Sequence, residues 1–232
     1  MKHTAFILHG WAYDIAKWHP LIEELQNDGI SVQMLNIPGL TTEPLTKAWD
    51  INDYVSWLKK EIGNTPAILI GHSNGGRISL NFAKKYPDLV KQLILIDSAG
   101  IPRRELKARV KRSVLKMAAK TGKVFTRSDR VRRLLYKLGR ADDYYKAQPV
   151  MRETMANLLQ SDYDLDATKV VVPTQLIWGK NDTATPVKDA HALKSQIKDA
   201  QLKIIDDARH SPQFTHMPIV AKAIKEFVHG DL

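Results

Sequence analysis

Residues 71–76 read Gly-His-Ser-Asn-Gly-Gly, between the apolar run Pro-Ala-Ile-Leu-Ile and a stretch with helical spacing. Ser73 thus falls on a tight strand-to-helix turn, with a glycine two residues to either side. A nucleophilic serine needs this spacing. Its hydroxyl must project from a sharp, strained turn that leaves little room for side chains at the flanking positions. The helix that follows would aim its first amides at any oxyanion forming beside the serine. A glycine-rich connection carrying an idle serine would look the same, so the other residues of the chain have to decide.

A serine hydroxyl attacks poorly until a base takes its proton, and the base is in turn oriented by a carboxylate. Among eight histidines, His210 in Asp-Asp-Ala-Arg-His-Ser-Pro lies just beyond the last strand-like run. His216, before the final helix, is its rival. His3, His19, His191 and His229 read as surface residues, and His72 is expected to pack or to hydrogen-bond locally. For the acid, Asp182 directly follows the strand-like run Thr174–Trp178. Asp97, ending the preceding run, is the alternative, because an acid at either strand end could reach the same imidazole. Asp206 and Asp207 are too close in sequence to His210 for an easy side-chain approach.

Strand ends must carry these groups, and the chain supplies them. Short apolar runs at Ala5–Leu8, Ser31–Asn36, Ala67–Ile70, Gln92–Ile96, Thr174–Trp178 and Gln201–Ile205 alternate with helix-period stretches near Trp18–Asp28, Ile51–Ile62, Gly75–Lys85, Val187–Ile197 and Pro218–Val228. Gly230 is placed as a helix stop. That alternation predicts an α/β fold, a mostly parallel, doubly wound sheet with helices on both faces. The runs are apolar along most of their length, as expected of strands covered on both sides. Between residues 101 and 169 the strand signal lapses and apolar residues recur at helical spacing, among them Leu106, Val110, Leu134, Leu138, Met151, Met155 and Leu158. We therefore expect a core of residues 1–100 and 170–232, with 101–169 inserted as a helical lid. An insertion leaving a strand's carboxyl end can roof a site there.

Composition bounds what else the chain can do. Its 232 residues are 44% hydrophobic and 26% charged, ordinary for a globular protein with a real core. The absence of cysteine excludes disulfides, thiolate metal sites and a cysteine nucleophile. The first apolar run is too short for a signal core, and no run approaches the roughly 18 residues of a membrane span, so a cytoplasmic location is expected. The net charge of +10 is concentrated: Arg103 to Arg140 holds 15 Lys and Arg against two acids, leaving 20 basic and 23 acidic residues elsewhere. This segment reads first as a solvated helical face. It could also attract an anionic substrate, or touch an anionic membrane surface peripherally. Nucleic acid is disfavoured, because Phe125 and Tyr136 are its only aromatics and no binding module is visible.

The order Ser73, Asp182, His210, together with "HGW" after the first strand, "PG" at 38–39, "GHSNGG", "VPTQLIWGKND" and "ARHSP", resembles the α/β-hydrolase fold family over essentially the full length. The resemblance implies a helical lid after the strand ending at Asp97. It also implies an oxyanion hole from the backbone N–H groups of Trp11 and Asn74, whose side chains are then free to shape the acyl pocket. The chain departs from the family's frequent pattern in three ways. Its first strand-like run is expected to be an inner strand, without the N-terminal antiparallel strands many members carry; it has Asn36-Ile37 where an acid often precedes "PG", and Thr41 where a glycine is common. The expected activity is a carboxylesterase-like serine hydrolase (EC 3.1) acting through an acyl-enzyme on a small or medium ester, with no cofactor and no metal. A thioesterase, lactonase, carbon–carbon hydrolase or lyase using the same residues remains open, as does a non-catalytic ligand-binding protein. Oligomeric state is not legible.

Overall fold

The computed structural model describes residues 4–11, 14–102 and 148–230. Six strands form one sheet: β1 (Thr4–Leu8), β2 (Ser31–Met34), β3 (Ala67–His72), β4 (Val90–Ile96), β5 (Thr174–Gly179) and β6 (Ala200–Ile205). Their spatial order is β2-β1-β3-β4-β5-β6, and every pairing is parallel. Parallel neighbours need crossovers. These include the helices α1 (His19–Asn27), α2 (Ile51–Ile62), α3 (Asn74–Lys85) and α5 (Val187–Gln196). Helix α4 (Pro149–Ser161) precedes β5, and the short α6 (Pro212–Thr215) and α7 (Met217–His229) follow β6.

Alternate residues of each central strand feed two separate cores. Phe6 and Leu8, Ala67 and Leu69, Leu93 and Leu95, and Leu176 and Trp178 pack on the face carrying α2, α3 and α5. Ala5 and Ile7, Ile68 and Ile70, Ile94 and Ile96, and Ile177 pack on the opposite face, with Trp18, Leu21 and Leu25 below and Val220, Ile224 and Phe227 from α7. Burial on both faces is why these strands read as apolar runs. The two edge strands differ from that expectation. β2 and β6 alternate toward solvent instead, because a sheet edge is covered less completely than its centre.

Chain order reverses between β1 and β3, the switch point where an open parallel sheet leaves a crevice at its carboxyl edge. Leu8 pairs with Gly71 there, so Trp11 and Ser73 leave neighbouring strand ends. Of the segment expected to form a lid, 103–147 lies outside the described residues. Its final part is helical as expected: α4 buries Met151, Thr154 and Leu158. The helix docks on the loop before α2, where Trp49 N–H donates to Thr154 Oγ1 and Asn157 Nδ2 donates to the Trp49 carbonyl.

Candidate active site

Ser73 sits between β3 and α3 with φ 51°, a left-handed conformation that non-glycine residues avoid. Glycine is required on both sides by close approach. A Cβ on Gly75 would collide with the carbonyl oxygen of Leu8, and one on Gly71 would lie 2.7 Å from Gly76 Cα. The turn is thus pressed against the end of β1, and the serine is turned out of the strand's line.

The structure brings together Ser73, His210 and Asp182, which are far apart in sequence. His210 Nε2 lies 3.0 Å from Ser73 Oγ, and His210 Nδ1 lies 2.7 Å from Asp182 Oδ2. A carboxylate can only accept, so the ring proton belongs on Nδ1, which leaves the Nε2 lone pair facing the serine hydroxyl. Burial works against charge on Asp182, but the His210 bond, the His210 charge, the Thr185 hydroxyl and the Ala184 amide outweigh it and hold the carboxyl below its usual range. Ala184 and Thr185 N–H both donate to Oδ1, at 2.6 and 3.1 Å.

Asp97, the alternative acid, is also at the site, but the carboxylate bonded to His210 Nδ1 is that of Asp182. Asp97 Oδ1 accepts the Gly179 N–H at 2.9 Å, and its Oδ2 has no partner among the described residues. Burial, reinforced by the Asp182 charge, pushes its pKa up to about 9. A carboxyl that is neutral near pH 7 cannot stabilise an imidazolium by charge. His216 is not at the site: its Nδ1 pairs with Thr215 Oγ1. His19, His191 and His229 are exposed as expected, and His3 lies outside the described residues.

His72 bonds across the fold instead of locally. It is fully buried against Trp18 and His210, and its Nε2 lies 2.9 Å from the carbonyl oxygen of His210. Burial first, with the neighbouring His210 adding to it, pushes its pKa down to about 3. The neutral ring must therefore carry its proton on Nε2 to donate to that carbonyl. His72, Asp97 and His210 each offer a metal-type donor atom, all within 4.8 Å of one another. His210 would have to release Ser73 or Asp182 to bind an ion, so these donors suit the hydrogen-bond network better than a cation.

Three features had no signal in sequence. Thr185 Oγ1 lies 2.6 Å from Asp182 Oδ2 and 3.0 Å from the Asp97 carbonyl, tying the two strand ends together. His9, buried and held neutral chiefly by desolvation, reaches the Gly10 carbonyl at 2.7 Å and Thr41 Oγ1 at 3.2 Å. Thr41, where the family often has glycine, therefore braces the turn that carries Trp11. Third, the Asn74 side chain does not face an acyl pocket unbound: Arg77 Nη1 donates to its Oδ1 at 2.6 Å. A threonine or asparagine seen alone does not say which distant group it will meet. Nearness in sequence to Asp182 singles out Thr183 and Thr185 alike and does not choose between them.

A strained serine beside a histidine–aspartate pair, at the switch point of a parallel sheet, makes this chain an α/β-hydrolase-fold protein. A family model of the alpha/beta hydrolase fold matches residues 6–120. Pimeloyl-[acyl-carrier protein] methyl ester esterase of Neisseria meningitidis serogroup A is 23% identical, over 98% of this chain and 77% of that protein. The protein of that name from Chromobacterium violaceum is 25% identical, over 95% of this chain and 92% of its own length. Among solved structures, the enol-lactonase of Burkholderia xenovorans LB400 superposes with a TM-score of 0.72 at 17% identity, covering 99% of this chain and 92% of that one. Among the described residues no helix is long and apolar enough to cross a membrane.

Proposed function

We propose that this protein is a serine ester hydrolase with Ser73 as nucleophile, His210 as general base and Asp182 as the orienting acid. One observation carries the reading: Asp182, His210 and Ser73 are hydrogen-bonded in sequence, at 2.7 and 3.0 Å. His210 Nε2 takes the Ser73 proton as Oγ bonds to the ester carbonyl carbon. The carbonyl oxygen, now an anion, is received by the backbone N–H groups of Asn74 and Trp11. His210 then hands its proton to the departing alkoxide, leaving an acyl-serine. Water gives a proton to His210 and adds to the acyl carbon, and Ser73 leaves with that proton.

For substrate we propose an acyl ester that is itself anionic or presented on a negatively charged carrier. Two features support this: the names of the Neisseria and Chromobacterium relatives, and the 15 basic residues between 103 and 140. The core test is labelling by a fluorophosphonate, which phosphonylates only an activated serine. Wild type labels and turns over p-nitrophenyl acetate, while Ser73→Ala does neither. A folded wild type that stays unlabelled sinks the proposal and favours the ligand-binding alternative.

A further inference from the structure

The Arg77–Asp162 pair is buried, with side chains 5% and 8% exposed. The guanidinium forks onto the carboxylate, Nε donating to Oδ1 at 2.6 Å and Nη2 to Oδ2 at 3.0 Å. Its third contact is the Nη1 bond to Asn74 Oδ1. An ion pair this far from water loses most of its attraction to desolvation, and a well-packed apolar pair of similar volume usually stabilises as much or more. Stability alone is therefore a poor account of it, and its geometry offers a better one.

Asn74 directly follows Ser73 and is the first residue of α3, so its amide is one of the four that lack an intrahelical acceptor. Its side chain is buried, and Nδ2 has no partner among the described residues. The Arg77 bond is the polar contact that fixes this side chain. Asp162 caps the end of α4, the helix leading out of the inserted segment. The way into that segment arrives at the same place. A Cβ on Gly100 would lie 3.5 Å from Leu165 Cδ2 and 3.7 Å from Arg77 Cα. Both stems of the insertion thus meet the elbow helix at Arg77.

We propose that Arg77 is a positioning residue: one buried fork sets the turn that presents the Asn74 amide and clamps the stem of the insertion to it. The inference rests on Ser73 being the nucleophile. Its effect belongs to the transition state, since the oxyanion exists only there, so its loss should fall on kcat and spare KM.

Four variants test this with p-nitrophenyl acetate: Asn74→Ala, Arg77→Met, Asp162→Leu and the double Arg77→Met/Asp162→Leu. Each single change should lower kcat by about tenfold to a hundredfold, the scale of a misplaced oxyanion donor, with KM nearly unchanged. The double variant, with no uncompensated buried charge, should recover the wild-type melting temperature and still turn over slowly. Recovery of both stability and kcat in the double variant would reduce the pair to a structural prop and overturn the proposal. Asn74→Ala leaves the ion pair intact and decides alone if the others do not fold; wild-type kcat there also overturns it. Fluorophosphonate labelling of wild type keeps the two readings apart. An unlabelled wild type removes the hydrolase and this inference together, whereas a labelled wild type with an undisturbed Asn74→Ala removes this inference only.

Discussion

Two non-glycine residues among those described have positive φ: Ser73 at 51° and Asp97 at 41°. Such backbone costs on the order of 1–3 kcal/mol and persists only where the surroundings enforce it. For Ser73 the enforcement is the Leu8 carbonyl under Gly75. For Asp97 it is the Gly179 amide on one side and the Thr185 hydroxyl on the other. The buried Asp97 carboxyl faces Asp182, His72 and His210, and its raised pKa has a consequence for stability. In the unfolded chain it ionises near 3.8, in the folded protein near 9. Between those values the folded state holds a proton that the unfolded state has lost, so this group's contribution is complete below pH 4. It declines as pH rises toward 9 and is constant above. Asp182 contributes with the opposite sign, because its folded pKa is lowered. Asp97→Asn keeps an acceptor for the Gly179 amide and removes only the Asp97 slope. Urea unfolding from pH 4 to 9 should show wild type losing stability relative to this variant as pH rises. A difference that stays flat means Asp97 ionises freely inside the fold.

At the level of elements, the elbow depends on how closely α3 approaches β1. Gly75→Ala drives a methyl into the Leu8 carbonyl at the end of a central strand. We expect a loss of about 3 kcal/mol, read from urea midpoints, because neither backbone can give way. A loss below about 0.5 kcal/mol would show that the turn relaxes. The central strands were legible in the sequence because burial on both faces makes them continuous apolar runs. Ser73, Asp182 and His210 were legible because a strand's end is visible wherever such a run stops. The rest was hidden for physical reasons. Helix α6 is too short to show a period, and β2 and β6 carry solvent-facing residues that blur their limits. The His72–His210 and Arg77–Asp162 contacts join residues 138 and 85 positions apart, and no local pattern announces a partner at that distance. The sequence favoured Asp182 over Asp97 without excluding the second. Both acids end strands, and only the side-chain directions assign Nδ1 of His210 to Asp182.

Across the whole molecule, charge is partitioned. The residues outside 103–140 are slightly acidic, and those within carry 15 basic side chains against two acids. If that segment gathers an anionic acyl ester, kcat/KM for an anionic ester should fall by about tenfold as salt screens the attraction, with a neutral ester of equal chain length almost unaffected. Parallel salt responses would return the segment to the role of a solvated face. The meeting of Gly100 with Leu165 bears on more than catalysis. Because the two stems come within a side chain's reach of each other, the stretch joining them closes a bridge of short span, and the entropy of closing such a bridge changes slowly with its length. One scaffold can thus accept connections of different size and chemistry at a single socket, with the strand ends that carry Ser73, Asp182 and His210 left in place. The groups at the strand ends and the stretch that joins the two stems become separately exchangeable parts of the chain.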